Sequence, residues 1–402
     1  MAGYWTDTLN QSLKWMLNMT TTAVWSLGFR PFFLLAGISA VVFIALWGGL
    51  IAHGGFPQNY YSPLNWHAHE MLFGYTVAVV SGFLLTAVKN WTGRETASGI
   101  KLASLVLVWL LGRLMPFMNN WVDDWFIALV DLAFLPYLIL CLAMPIWQQR
   151  TFRNAPVLLL LLGLFVANIL FHMDTLQLTN VGVTRLFHVT IGIILIFIAI
   201  IAGRVVPFFI RSACKGTVPL VWPVIEWISV LSIVAIVVLK AFYDDSNALL
   251  LVSVVAVLSN AIRMMAWSST EAFKQPMLLV LFSGYLWMVL GIGLDALSLL
   301  NIGSSQLALH AMTVGSIGVL TLGMMCRVSL GHTGRAIKAN WLIVLAFLLI
   351  NGAVVFRVLF PLFMPMDYVL WLNVSSVLWL LAFLLFSVYF TPVLLARRVD
   401  ED

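Results

Sequence analysis

Apolar residues run along this chain in blocks of about twenty, separated by short polar stretches. Twelve blocks stand out, at 31–52, 66–88, 100–117, 122–147, 155–172, 183–203, 220–240, 247–268, 276–300, 306–326, 341–361 and 368–396. A helix needs about 20 apolar residues to cross the hydrocarbon of a bilayer. The breaks carry turn chemistry, as in "HGGFPQNYYSP", "YDDSN", "NIGSS" and "LGHTGR". The pattern predicts an all-α integral membrane protein with twelve transmembrane helices. It forms one membrane domain over residues 1–402, with residues 1–30 as a cytoplasmic N-terminal segment. The loops leave no room for a soluble domain.

Composition points the same way. The chain is 62% hydrophobic and 9% charged, whereas a soluble domain carries about 25% charged residues. A net charge of +5 would suggest nucleic acid in a soluble protein. Here the basic residues gather in alternate loops, so the bilayer is the expected partner and nucleic acid is not. Lys14, Arg30, Lys89, Arg94, Lys101, Arg150, Arg153, Arg204, Arg211, Lys215, Arg263, Lys274, Arg327, Arg335, Lys338, Arg397 and Arg398 fall on one side. By the positive-inside rule that side is cytoplasmic, and so are both termini. The first block is too long for the apolar core of a signal peptide and reads as a retained helix. Residues 10–19, "NQSLKWMLNM", fit either a surface helix or a polar leader. Cys141, Cys214 and Cys326 are far apart and form no CxxC or CxxCH motif, which argues against a zinc ribbon and covalent haem attachment.

The topology places six of the seven histidines at or near the outer face: His53, His67, His69, His172, His188 and His310. His332 is cytoplasmic. "WHAHE" (66–70) opens the second span, with Trp66 expected as an interface anchor. His69, His188 and His310 each begin an inward-running span and are spaced by roughly 120 residues. His69, Gly74 and Gly82 align without a gap on His310, Gly315 and Gly323. Arg113 in "GRLMP" and Arg357 in "FRVLFP" lie about twice that spacing apart. These echoes predict a pseudo-threefold arrangement of four-helix repeats over 31–147, 155–268 and 276–396.

Histidines that converge from separate helices in an apolar interior are what a b-type haem requires. His69 and His310 are the expected axial pair, because their spans match in glycine spacing and glycine lets a neighbouring helix or a porphyrin approach. His188, with His67 or His53 near in depth, is the candidate set for a second metal, copper being favoured by imidazole ligands. Arg113, Arg185 and Arg357 are candidates for the haem propionates. His67 and His69 point about 200° apart on a helix and cannot chelate one ion from the same face. Residue 73 is Phe, so no HExxH zinc motif exists. Glu70 suits the positive end of a helix in its first turn, or else a metal's surroundings or a proton path. Asp131, Glu226, Asp295, Asn168 and Asn260 could line a proton or ion route, or be satisfied by neighbouring helices.

Five blocks, "GFRPFFLLAG" (28–37), "WHAHEMLFGY" (66–75), "SGFLLTAVKNWTGR" (81–94), "AGRVVPFFIR" (202–211) and "LHAMTVGSIGVLTLGMMCRVSLGHTGR" (309–335), resemble the NnrS family of bacterial membrane proteins. The resemblance covers nearly the whole chain and departs at Lys89, where a proline is expected. It implies twelve spans in the bacterial inner membrane, haem b and copper as cofactors, and a role in nitric oxide metabolism and resistance to nitrosative stress. It points at His67, His69, His188, His310 and His332, and at Arg30, Arg204, Arg327 and Arg335. The threefold plan is also similar to the catalytic subunit of haem–copper oxidases, but the seventh span has no histidine and the tenth only one. That departure argues against a complete oxygen-reducing centre. The expected function is therefore to bind or handle nitric oxide or another small gas, with an electron donor as a further partner if the haem is redox-active. No motif commits the chain to turnover. The alternatives are a metal-free twelve-helix secondary transporter, which more typically shows two halves of six spans, and a cofactor-free scaffold for an oxidase or reductase.

Overall fold

The computed structural model describes residues 23–243 and 246–400, without the side chains of 51–53. The described residues are mostly helical, joined by short loops, with no strand among them. Twelve helices are long and apolar enough to span a membrane: α1 Phe29–Leu50, α2 Pro63–Thr92, α3 Gly99–Met118, α4 Asp124–Gln148, α5 Phe152–Thr175, α6 Val183–Ala213, α7 Pro223–Phe242, α8 Ser246–Trp267, α9 Pro276–Leu299, α10 Ser305–His332, α11 Trp341–Phe363 and α12 Pro365–Leu395. Helix is the form in which a single segment satisfies all its backbone polar groups in hydrocarbon. The protein is a multi-span membrane protein, and each expected block overlaps one of these helices. Residues 1–22 of the expected N-terminal segment lie outside the described residues.

Burial orders the helices. The most apolar stretch of α2 is 83% buried, against 67% in both α9 and α10 and 22% in α7. α2, α9 and α10 form the centre, while α7 and α8 pack on each other at the rim. The rim presents apolar side chains such as Leu159, Trp227, Leu348 and Val388 outward, as lipid requires. α12 packs against α1, so the first and last spans are neighbours. Trp379 Nε1 donates to the Ala40 carbonyl at 3.0 Å and Arg30 Nη1 to the Leu394 carbonyl at 2.9 Å.

α2 starts three residues earlier than the apolar block. Ser62 caps it by accepting from the Asn65 amide, and Pro63 takes the first position, where its missing N–H costs nothing. Glu70 therefore sits two turns into the helix rather than in its first turn. Trp66 is fully buried against Phe43, Phe56 and Phe117. It is a core residue and not the interface anchor expected. Three spans, α2, α10 and α11, contain a π-helical stretch: Glu70–Thr76 directly after His69, Ala311–Gly318 directly after His310, and Val355–Leu359 around Arg357. Such insertions often mark functional positions.

The glycines aligned between α2 and α10 pack helix on helix. A Cβ at Gly82 would meet Phe32 and Phe33, at Gly315 Trp287, and at Gly323 Val280.

Candidate functional site: a histidine cavity and a buried polar cluster

His67 and His69 leave α2 in different directions, and each enters its own site. His67 faces a cavity of about 530 Å³ at the end of the bundle where α2, α6 and α10 begin. His188 of α6 and His310 of α10 line the same cavity. So do Arg357 of α11 and the aromatic rings of Trp47, Tyr75, Phe187, Tyr368 and Trp379. The volume lies in the range of ligand and cofactor pockets.

Two of the three imidazoles, those of His188 and His310, are prepared in the same way. His188 Nδ1 lies 2.8 Å from the Thr184 carbonyl, and His310 Nδ1 lies 2.7 Å from the Gln306 carbonyl. A carbonyl can only accept, so Nδ1 carries the proton in both rings and Nε2 keeps its lone pair. This is how a metal-binding histidine is oriented by its far nitrogen. His310 Nε2 accepts from Arg357 Nη2 at 3.1 Å. His67 stacks on Trp47, with ring centroids 4.4 Å apart and 12° between planes. Its Nδ1 is buried without a hydrogen-bond partner.

Arg357 is the cation of this cavity. Its guanidinium lies over the Tyr368 ring at 5.4 Å. Its Nη1 is buried with no hydrogen-bond partner, and no carboxylate among the described residues pairs with it. A buried guanidinium with a spare N–H is a ready partner for an anionic group.

On the opposite side of α2, His69 and Glu70 enter a second site built with α3, α4 and α5. Arg113 Nη1 donates to both oxygens of Glu70 at 3.0 Å, and Nη2 donates to Asp131 Oδ1. Asn168 Nδ2 donates to Asp131 Oδ2 at 2.8 Å, and its carboxamide oxygen lies 3.0 Å from His69 Nε2. His172 Nε2 donates to Asp131 Oδ2 at 3.0 Å. Tyr60 donates to His172 Nδ1 at 3.3 Å, and the Tyr61 hydroxyl lies 3.3 Å from His69 Nε2. Burial raises both phenols above their ordinary pKa, Tyr61 well above it, so they stay protonated hydroxyls. Gly74 and Gly112 make room. A Cβ at Gly74 would lie 2.8 Å from Glu70 Oε2, and one at Gly112 would lie 2.8 Å from Asp131 Oδ1.

The structure thus brings His67, His188 and His310 together with Arg357, and places His69 elsewhere with Arg113. His69 and His310 do not share the cavity. Arg113 is committed to two carboxylates. Arg185 is exposed in the first turn of α6 and is not part of the cavity wall. The His53 side chain lies outside the described residues. At the other end of the bundle, Arg204 donates to Asn154 and to the Arg153 carbonyl, and Arg327 lies over Phe209 at 3.8 Å. His332 packs on Phe29 at 5.7 Å. Glu226 pairs with Arg263, which also reaches Tyr285 at 3.0 Å, and Tyr285 donates to Asn260 at 2.5 Å. Asp295 pairs with Lys240 at 2.6 Å.

His172 was not among the expected site residues. Its signal was available: Asn168 and His172 are four apart on α5, hence on one face. Both are more than nine-tenths buried.

Comparison with curated proteins gives no match. A sequence profile described as NnrS protein matches residues 23–398, from before α1 to beyond α12, and so contains both sites. The chain belongs to the NnrS family.

Proposed function

We propose that this protein holds a haem in the histidine cavity and uses it to bind nitric oxide at the outer face of a bacterial inner membrane, both termini being cytoplasmic. The observation that carries this is the wall of the cavity: His188 and His310, each with Nδ1–H tied to its own helix and Nε2 unprotonated, that of His310 accepting from Arg357 Nη2, beside His67 and the unpaired buried Nη1 of Arg357. The residues fit the group. A porphyrin needs one or two imidazole nitrogens, flat apolar walls and a cation for its carboxylates. The cavity supplies each of these, with Trp47, Tyr75 and Trp379 as flat walls. His67, His188 and His310 are the candidates to ligate the iron, and Arg357 to pair with a propionate.

When bound, a haem supplies an iron with an affinity for diatomic gases. The chain's own residues do the rest. Gln306 and Thr184 hold the imidazoles in one tautomer. Trp47 fixes the plane of His67. One haem would use one or two of these imidazoles, and an imidazole it does not use would be available to copper, which suits such ligands. An adjoining apolar pocket of about 100 Å³ shares Thr76 and Ile317 with the cavity, and Phe33, Phe83, Phe197 and Leu281 help to line it. Its surface suits a small gas of low polarity.

The test is spectroscopic. The purified chain, expressed with adequate haem and copper, should show a Soret band that shifts when nitric oxide is added to the reduced protein. A chain that carries neither haem nor copper would refute the reading, and substrate uptake into liposomes by such a colourless protein would favour a transporter.

A further inference from the structure

The buried cluster on the far side of α2 has the form of a metal site. We propose that His69, Asp131 and His172 bind one divalent first-row transition-metal ion, Zn²⁺ or Cu²⁺, at a site separate from the histidine cavity and independent of any haem.

Three observations carry this. The first is convergence. One ring nitrogen each of His69 and His172 and a carboxylate oxygen of Asp131 all lie within 4.8 Å of one another. Asp131 Oδ2 is 3.0 Å from His172 Nε2 and 3.4 Å from His69 Nε2. Ligands at about 2.0–2.1 Å from a tetrahedral ion stand about 3.3 Å apart, and both histidine–aspartate pairs already stand near that spacing.

The second is the outer set of contacts. The far atom of every proposed ligand meets a partner. His69 Nδ1 faces Glu70 Oε1 at 3.4 Å, His172 Nδ1 meets the Tyr60 hydroxyl at 3.3 Å, and Asp131 Oδ1 accepts from Arg113. Partners of this kind orient metal ligands; the Tyr60 hydroxyl can accept as well as donate, so it can hold His172 with the proton on Nδ1 once an ion takes Nε2.

The third is charge. Glu70 and Asp131 carry two negative charges and Arg113 one positive, in a site where these three residues are 8% exposed or less. With neutral imidazoles one negative charge is left over, and an uncompensated buried charge is costly. A proton on an imidazole or a bound cation balances it. Convergence of three ligand atoms on one point favours the cation, which displaces protons as it binds. The donors are nitrogen and oxygen with no sulfur, which selects borderline divalent ions over soft ones.

The test counts metal. Wild type, Asp131→Asn and His172→Gln are purified as full chains in detergent, stripped with chelator, and titrated in separate arms with Zn²⁺ and Cu²⁺. The cavity histidines are common to all three and cancel in the difference. Each variant should bind one ion per chain fewer than wild type, and the arm with the tighter wild-type binding identifies the ion class. Tyr60→Phe removes only a hydroxyl near the surface, and it decides the matter if the ligand variants do not fold. It should weaken that one ion about 10-fold. Unchanged stoichiometry and affinity in the ligand variants, or in Tyr60→Phe where it alone folds, overturns the proposal.

Discussion

Arg113→Leu is the sharpest perturbation of the polar cluster. The guanidinium makes two contacts of 3.0 Å to Glu70 and a third to Asp131, while itself only 8% exposed. Without it, Glu70 at 1% and Asp131 at 3% exposure keep their charges with no arginine between them. Removing one member of a buried ion pair costs about 3–5 kcal/mol, chiefly because the other charge is left uncompensated. Two carboxylates share this one cation, which places the expected loss toward the upper end. Leucine packs well and forms helix readily, so neither lost volume nor helix propensity explains a loss of that size. Reversible unfolding in mixed micelles, followed by tryptophan fluorescence, measures it. Glu70→Gln in the Arg113→Leu background removes one stranded charge. It should therefore cost less than it does alone, with a coupling of about 0.5–3 kcal/mol. An Arg113→Leu chain within about 1 kcal/mol of wild type, additive with Glu70→Gln, would refute the claim that the cluster is held by charge.

Arg357→Leu should lower haem retention about 10- to 100-fold, since a charge-assisted hydrogen bond contributes about 1.5–3 kcal/mol; haem content after dialysis against a haem-binding competitor reads this out. Gly203→Ala should destabilise the chain by about 1–3 kcal/mol in the same micelle assay, because its Cβ would collide with the end groups of the Arg263–Glu226 pair and push them apart. Trp47→Ala removes the ring stacked on His67 and should cost about 0.5–1.5 kcal/mol beyond the lost burial, together with a changed Soret envelope in the haem-loaded protein.

Much of the architecture was legible in the sequence, because lipid leaves few choices. Twelve apolar blocks became twelve spanning helices, since hydrocarbon demands length and an internally satisfied backbone. The start of α2 was misread because apolarity marks where a helix becomes buried, whereas Ser62 and Pro63 mark where it begins. The divergence of His67 and His69 followed from 100° per residue, but helical phase does not say which side of α2 holds the cavity. That is decided by where α3, α4 and α5 pack. The π-helical stretch that follows His69 alters the phase of every later residue on α2, and no simple period predicts it. Arg113 shows the same limit. Its place at a helix end was readable, while its two carboxylate partners come from α2 and α4 and exist only in the packed structure. The aligned glycines of α2 and α10 allowed either a helix or a porphyrin to approach; side chains of neighbouring helices pack against Gly82, Gly315 and Gly323, while Gly74 also makes room for the Glu70 carboxylate.

The central claim is that the cavity face of α2, and not its cluster face, serves the haem. Quantifying haem per chain in His67→Gln, His310→Gln and His69→Gln, beside wild type, tests it most directly. The account predicts that His67→Gln and His310→Gln lose haem or change its spin state, while His69→Gln keeps the wild-type spectrum. A His69→Gln chain stripped of haem, with His67→Gln unaltered, would contradict it.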